Sequence, residues 1–396
     1  MSEDSIVIVA AKRVPTGSFQ GAYQNVSSTE LGSTAIKGAL EASTISGEDV
    51  DEVLMGCVLP AGLGQAPARQ AALHAGLPQK VACVTVNKVC GSSLKSVMLA
   101  HDAILAGSIN IAIAGGMESM TNAPYLLPGA RAGLRMGTHP VFDHMLLDGL
   151  EDSFTGGTSM GVFAERTAEK YGFTREQQDA YAIETDKRAL EAIAKGYFSE
   201  EIVPVLVSTK KETITVDQDE PPQKVNLEKI PLLKPAFKKD GTVTAANSSS
   251  ISDGAAAVVL MKESEAKRRH LKPLARIVAH AQYSREPEWF TLAPSGAIEK
   301  VLKKAGWSKD EVDFYEINEA FAVVVMAVMK DLGLTHKNVN IHGGACALGH
   351  PIGASGAKLL TTLLYALKTH NKKKGVVSLC IGGGEAVAMA VERLED

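Results

Sequence analysis

The chain has 396 residues, of which 45% are hydrophobic, and its 41 basic and 45 acidic residues give a formal net charge of −4. This balance argues against bulk nucleic-acid binding. No apolar run approaches the roughly 20 residues of a membrane span, so we expect no membrane insertion. The five cysteines lack disulfide or zinc spacing, which fits free thiols in a reducing compartment. A strand pattern starts at Ser5, so we expect no leader and a cytoplasmic protein.

Short Val- and Ile-rich runs alternate with helical patterns along the chain, which predicts an α/β fold with mainly parallel strands. The stretch Ser92–Ala106 predicts a mostly apolar, buried helix directly after Cys90. The first strands are expected at Ile6–Ala10, Val53–Met55, Cys83–Val86 and Ile111–Ala114.

Residues 120–248 differ in character from the segments on either side. Thr174 with Gln177 three positions later is a capping-box pattern, and it predicts the start of the amphipathic helix Arg175–Lys195. We interpret this region as an inserted, partly helical loop domain, of a kind that often covers a site on α/β scaffolds.

The C-terminal part repeats the programme of the N-terminal part. Ser46–Met55 resembles Ser308–Ile317, and the strand and glycines of Ile111–Gly116 resemble Val377–Gly383. Two pairs in the same order favour one duplicated α/β unit over two unrelated domains. We therefore expect a first half of residues 1–119 with about 249–270, the insertion, and a second half of residues 271–396.

Four side chains set among glycines indicate thioester chemistry. Cys90 precedes a predicted helix, where the helix dipole and free N–H groups favour a thiolate. His350 can take a proton from a thiol, and Cys380 precedes three glycines whose N–H groups can hold an oxyanion. Asn318 follows an apolar strand and carries an amide donor. Each of the four, taken alone, also has a structural interpretation, and for Cys380 alone a buried core thiol is the favoured one. We interpret Cys57, Cys83 and Cys346 as packing residues.

Five short motifs in order make the chain resemble the thiolase family over essentially its whole length. They are Val89-Cys90-Gly-Ser-Ser, Gly115-Gly-Met117-Glu-Ser-Met, Asn318-Glu-Ala-Phe321, Gly349-His350-Pro-x-Gly353 and Cys380-x-Gly382-Gly-Gly. The resemblance implies duplicated α/β halves in αβαβα layers with an inserted loop domain.

The resemblance also implies a ping-pong Claisen mechanism. Cys90 would carry the acyl group, His350 would activate it, and Cys380 would exchange the α-proton of the second thioester. Asn318, through a water, and His350 would form one oxyanion hole. The N–H groups of Cys90 and Gly382 would form the other.

Further positions resemble the family's substrate-binding elements. Ser249, in the segment that begins at Ala246, would contact the pantetheine arm of CoA. Met160 would wall the acyl pocket, and Lys224 stands where relatives often have a CoA-contacting arginine. Phe290 and Phe321 complete the candidates. Glu385 occupies a position where small or apolar residues are usual, and the sequence offers no account of it.

The expected function is reversible condensation of two acetyl-CoA to acetoacetyl-CoA and CoA, by a homodimer or homotetramer. The resemblance implies no cofactor besides these CoA thioesters and no metal. One alternative is a degradative thiolase for longer 3-ketoacyl-CoA chains. A decarboxylating ketosynthase would need a histidine in place of Asn318. A non-catalytic CoA or lipid carrier could dispense with Cys90, His350 or Cys380, and all three are present.

Overall fold

The computed structural model describes residues 4–394 as a set of short and long strands with ten α-helices among the described residues. The strands are β1 (Ile6–Arg13), β2 (Gly17–Ser18), β3 (Glu52–Gly56), β4 (Ala82–Val86), β5 (Ile111–Ser119), β6 (Tyr125–Leu126), β7 (Phe142–Asp143), β8 (Glu151–Asp152), β9 (Thr158–Ser159), β10 (Val205–Ser208), β11 (Thr213–Val216), β12 (Ser252–Lys262), β13 (Ala275–Ser284), β14 (Phe314–Ile317), β15 (Lys374–Ile381) and β16 (Glu385–Arg393). The helices are α1 (Ser28–Ser43), α2 (Pro67–His74), α3 (Ser92–Leu105), α4 (Met160–Tyr171), α5 (Arg175–Ala194), α6 (Glu263–Arg268), α7 (Ala293–Ala305), α8 (Ala322–Leu332), α9 (Ala345–Leu348) and α10 (Ser355–Thr369).

The main sheet has mixed strand directions, so the expectation of mainly parallel strands is wrong. Its strand order is β14-β15-β16-β13-β1-β12-β5-β3-β4, with β2 beside β12. Parallel ladders join β3 to β4 and β5, and β14 to β15. The remaining ladders of this sheet are antiparallel. The physical reason is clearest at β15 and β16, because a three-residue connection can only reverse the chain.

The two halves of the sheet meet along a short junction. β1 and β13 share two residue pairs, Val7 with Arg276 and Ile8 with Ala275. Beyond that junction α3 and α10 lie between the two halves of the sheet, and hydrophobic side chains from both halves join them in one cluster. α1 and α2 cover the outer face of the first half, and α7 and α8 cover that of the second. These are the five layers, αβαβα, that the resemblance implies.

Alternating side chains build this layering. In β1, Ile6 and Ile8 point into the central layer, whereas Val7 and Val9 contribute to the outer core under α1. All four are buried, as a strand covered by helices on both faces requires.

Two equivalent aspartates show that the halves repeat one structural programme. Asp51 precedes β3 and accepts hydrogen bonds from the two amides that begin β5, at 2.7 and 3.0 Å. Asp313 precedes β14 and accepts from the two amides that begin β15, both at 2.9 Å. The paired strands therefore correspond as the sequence predicts. The glycines of the two segments do not correspond. When the paired strands of the two halves are aligned, Met117 is equivalent to Cys380, and residues 115–116 are equivalent to residues 378–379.

The inserted region occupies one connection of the repeated unit. Residues 120–251 lie between β5 and β12, and they include α4 and α5. The predicted capping box is present, since Thr174 and Gln177 exchange both hydrogen bonds at the start of α5. None of the helices within residues 4–394 combines the length and apolarity needed to cross a bilayer.

Candidate active site

Cys90 lies in the turn that leads from β4 into α3, and this Cys90 turn, residues 87–91, has a strained backbone. Val89 has φ of +45°, a conformation that β-branched residues almost never adopt. Ser92 supports it, because its hydroxyl donates to the Val89 carbonyl at 2.6 Å and accepts from the Lys88 amide at 2.8 Å. Strain of this kind persists only where the surroundings enforce it, and it is common at functional sites.

The electrostatic environment of Cys90 favours the neutral thiol. Burial raises the pKa of the Cys90 thiol to about 11, while hydrogen bonds from the backbone N–H groups of Gly382 and of Cys90 itself act in the opposite direction. The expected advantage of a helix N-terminus for the thiolate is therefore outweighed by burial. The same two N–H groups are the pair predicted to hold an oxyanion, and the structure brings both to the sulfur.

Cys380 lies near the end of β15 and is fully buried. Burial, together with the neighbouring Cys90 thiol, raises the pKa of Cys380 well above its usual range. The two thiols, 290 positions apart in sequence, are thus brought to one place. The next turn, Gly382–Gly384, closes the hairpin and is called the triple-glycine turn below. A side chain at Gly384 would combine φ of +89° with an approach of 2.3 Å to the Arg285 carbonyl oxygen.

His350 is buried beside Asn318 and Ser355. Its Nε2 lies 3.3 Å from the Asn318 amide nitrogen, and its Nδ1 lies 2.5 Å from the Ser355 hydroxyl. Ser355 donates its proton to the Pro351 carbonyl at 2.9 Å, so its oxygen accepts from Nδ1–H. This arrangement leaves Nε2 with its lone pair, and Nε2 lies on the side of Asn318.

The charge on His350 is suppressed by its surroundings. Burial, with a smaller contribution from the Lys358 ammonium, lowers the pKa of His350 to about 3. The same ammonium donates to the carbonyls of Leu348 and Gly349, at 2.9 and 3.1 Å, and so holds the segment before His350. At neutral pH the site therefore combines a neutral imidazole base with a neutral thiol.

Asn318 follows β14 directly, where its backbone N–H donates to the Ser378 carbonyl at 3.0 Å. It is buried, and its side chain faces His350. The neighbouring Glu319 points the other way and accepts from Tyr181 at 2.7 Å and Thr185 at 2.9 Å in α5. This strand end therefore places one polar side chain in the site and uses the next to attach the insertion.

Glu118 and Ser355 are site-forming residues to which the sequence assigned no role. The buried Glu118 carboxylate accepts from the backbone N–H groups of Val58, Leu59 and Gly353 at 2.9, 3.2 and 2.9 Å. It thereby ties a loop of the first half to the loop after His350, and burial raises its pKa to about 7. Glu118 lies within one of the quoted glycine motifs and Ser355 shortly after another, and this position in the sequence could have indicated that they belong to the site.

The candidate substrate residues divide into two groups. Met160, Phe290 and Phe321 pack in one hydrophobic cluster with Cys380, so the structure brings them to the second thiol. Ser249 and Ala246 are partly exposed, and the Ser249 amide donates to the Ala320 carbonyl at 3.0 Å. Lys224 is not part of the cluster, and its exposed side chain forms an ion pair with the partly buried Glu220. Cys57, Cys83 and Cys346 are free thiols, like the other two cysteines.

The five-layered duplicated fold and the paired thiols define a class of acyl-transferring enzymes, and comparison of the sequence identifies that class. Residues 6–264 match the thiolase N-terminal domain, and residues 271–393 match the thiolase C-terminal domain. The chain therefore belongs to the thiolase family.

Individual relatives are similar along their full lengths. The acetyl-CoA acetyltransferase of Escherichia coli is 50% identical over 390 residues, covering 98% of this chain and 99% of the relative. A cytosolic acetyl-CoA acetyltransferase of Gibberella zeae is 49% identical over 392 residues, covering 98% of each. The Ascaris suum Acat5 thiolase, solved with coenzyme A, superposes with a TM-score of 0.94 at 42% identity and covers 98% and 100% of the two chains.

Proposed function

We propose that this chain is an acetyl-CoA C-acetyltransferase, which converts two acetyl-CoA to acetoacetyl-CoA and CoA and catalyses thiolysis in reverse. The observation that carries the proposal is the meeting of the Cys90 and Cys380 thiols beside the Gly382 N–H group. The buried pair of His350 and Asn318 supports it as the candidate base and amide donor. The names of the full-length relatives support the choice of an acetyl group and of coenzyme A as carrier.

In the first half-reaction, Cys90 attacks the carbonyl carbon of acetyl-CoA while Nε2 of His350 takes the thiol proton. A neutral imidazole is the form required for this step. The N–H groups of Cys90 and Gly382 stabilise the oxyanion. When the carbon–sulfur bond to CoA breaks, the departing thiolate takes the proton of Cys380. The products are acetyl-Cys90, free CoA, a Cys380 thiolate and a His350 imidazolium.

In the second half-reaction, the Cys380 thiolate removes an α-proton from a second acetyl-CoA. The Asn318 amide and the Nε2–H of His350 stabilise the enolate oxygen. The enolate carbon attacks the carbonyl of acetyl-Cys90, and the Cys90 thiolate leaves and recovers its proton from His350. Each residue thus returns to its starting protonation state. The raised pKa of Cys380 suits this role, because a high-pKa thiol gives a strong base once it is deprotonated.

The substrate would enter between the inserted segment and the second half. Met160 begins α4 of the insertion and contacts the Cys380 cluster, which supports its role as a wall of the acyl pocket. Partly exposed Ser249 and Ala246 are available to the pantetheine arm, and exposed Lys224 to the CoA phosphates. We propose that the chain has three units. The first half comprises residues 1–119 with about 249–270, the loop domain comprises residues 120–248 and would cover the CoA site, and the second half comprises residues 271–396.

We further propose a homo-oligomer, dimer or tetramer, in the cytosol. Among the described residues β4 pairs only with β3, so it presents one free edge beside exposed Val84 and Leu99. Met136 and Phe154 of the insertion are 92% and 74% exposed. Apolar groups displayed in this way are typical of association surfaces. The location follows the relative named as cytosolic.

The test compares CoA-dependent thiolysis of acetoacetyl-CoA with that of a long-chain 3-ketoacyl-CoA, followed by loss of the 3-ketoacyl thioester. We expect a strong preference for acetoacetyl-CoA, and none of this turnover with Cys90→Ala. Equal or faster long-chain turnover would replace the proposal with a degradative thiolase. No turnover of either substrate would make a CoA carrier the better description.

A further inference from the structure

An ion pair connects the Cys90 turn with the triple-glycine turn that follows Cys380. The Lys88 ammonium, two residues before Cys90, contacts the carboxylate of Glu385, which is the residue that follows the triple-glycine turn. The side chains are only 19% and 35% exposed. The pair therefore lies where solvent screening is weaker than on an open surface. It also accounts for Glu385, which the sequence left unexplained.

Lys88 is tightly coupled to the backbone around Cys90. Its amide donates to the Ser92 hydroxyl at 2.8 Å, and its carbonyl accepts from the Gly91 amide at 3.0 Å. The Lys88 main chain thus binds the two residues that follow Cys90. A displacement of Lys88 would move the whole Cys90 turn, whose strained Val89 has few alternative conformations.

Glu385 is equally coupled to the opposite turn. It begins β16 and faces Ile381 across the hairpin, so it forms the base of the triple-glycine turn. Its second carboxylate oxygen accepts from the Ser284 hydroxyl at 3.1 Å on β13. The three glycines lack side chains that could fix their position, and the anchored base restrains them instead.

The remaining contacts between the two turns are close but mostly apolar. A side chain at Gly91 would meet Ile381 at 2.4 Å, and one at Gly382 would meet Val89 at 3.7 Å. Beside these side-chain contacts there is one polar contact, from the Gly382 N–H to the Cys90 sulfur. An oxyanion hole with one N–H from each half works only if the two turns keep their spacing.

We propose that Lys88 and Glu385 are positioning residues whose ion pair sets the spacing between the Cys90 turn and the triple-glycine turn. The inference rests on the proposed use of the Cys90 and Gly382 N–H groups as an oxyanion hole. Both half-reactions use that hole, so loss of the pair lowers kcat in both directions and leaves KM nearly unchanged.

The test uses Lys88→Gln, Glu385→Gln, the double variant and the exchanged pair K88E/E385K in the full-length protein. Two rates are measured, kcat for thiolysis and the rate of Cys90 alkylation by iodoacetamide at pH 8. We expect each single variant to lose about tenfold to hundredfold in kcat, as for small misplacements of reacting groups. We expect slower alkylation in both, because the Gly382 N–H that favours the thiolate retreats. The double variant should resemble either single one, and the exchanged pair should recover most of both rates.

The alkylation rate separates positioning from simple charge. A charge effect alone would make Lys88→Gln slower and Glu385→Gln faster, since the lost charges have opposite signs. Opposite shifts would therefore overturn the proposal, as would unchanged rates with only a lower melting temperature. Glu392→Gln is the matched control, because its pair with Arg276 joins β13 to β16 within the second half. If the wild type lacked transferase activity, the proposed function would fail, yet the alkylation comparison would still decide on the ion pair.

Discussion

In the first half of the chain β5 and β12 are separated by residues 120–251, whereas in the second half the equivalent strands β15 and β16 are joined by three glycines. The long connection contains Met160, which packs in one cluster with Cys380, and the short one has an N–H group that reaches the Cys90 sulfur. The connection between the equivalent strands is thus a long segment with its own helices in one half and a compact turn in the other. The comparison shows that the two halves share their strands and helices, whereas the connections between equivalent strands can differ in length and in function.

The two thiols, one from each half, also have different proposed roles. Cys90→Ala tests the nucleophilic role of the first-half thiol and has the largest expected effect. Removal of the nucleophile should lower transferase activity by at least about 10³-fold and abolish acetyl-enzyme formation. Intact-protein mass after incubation with acetyl-CoA gives the second readout. Cys83→Ala is the control, because Cys83 lies on β4 outside the site. Undiminished acetylation of the variant would show that another group carries the acyl chain.

Cys380→Ala tests the second-half role. We expect acetylation of Cys90 to remain measurable though slowed, since only the proton for the departing CoA is lost. Condensation and thiolysis should fall far more, because no base exchanges the α-proton. Rapid-quench mass measurement of acetyl-enzyme beside steady-state turnover separates the steps. Equal losses in both would contradict the division of labour between the two halves.

Gly384→Ala asks whether the short connection tolerates a side chain. Both the left-handed φ and the contact with the Arg285 carbonyl oppose it, so we expect a loss of about 2–4 kcal/mol in stability. Gly107→Ala is the matched control, since its φ is +77° with open space around it, and it should cost about 1 kcal/mol. Thermal melting of both variants measures the difference. Equal melting temperatures would show that the hairpin yields without penalty.

The protonation state of the site gives the subtlest comparison. With the thiol pKa near 11 and the imidazole pKa near 3, neither group changes charge between pH 6 and 9. The small thiolate fraction should therefore rise about tenfold per pH unit, and Cys90 alkylation by iodoacetamide should follow it. A plateau across this range would instead indicate a preformed thiolate–imidazolium pair.

Short glycine-rich motifs singled out four candidate residues, and the structure brings Cys90 to Cys380 and His350 to Asn318. Cys90, His350, Cys380 and Asn318 each stand at the end of an element, where periodicity and glycine spacing are informative. Strand direction was not predictable in this way, because it depends on how β12 returns after the long insertion. The binding partners of Glu118 and Glu385 could not be predicted either, because they lie far away in the sequence. Glu118 binds the Gly353 amide 235 positions away, and Glu385 binds Lys88 297 positions away.

The two-pair junction between β1 and β13 has a consequence for cooperativity. Because so little backbone pairing joins the halves, α3 and α10 in the shared central layer must supply most of the cohesion between them. Either half alone would present the apolar face of its sheet and central helix to water. The monomer is therefore a single folding unit, and fragments divided near residue 270 would regain structure only by complementing each other.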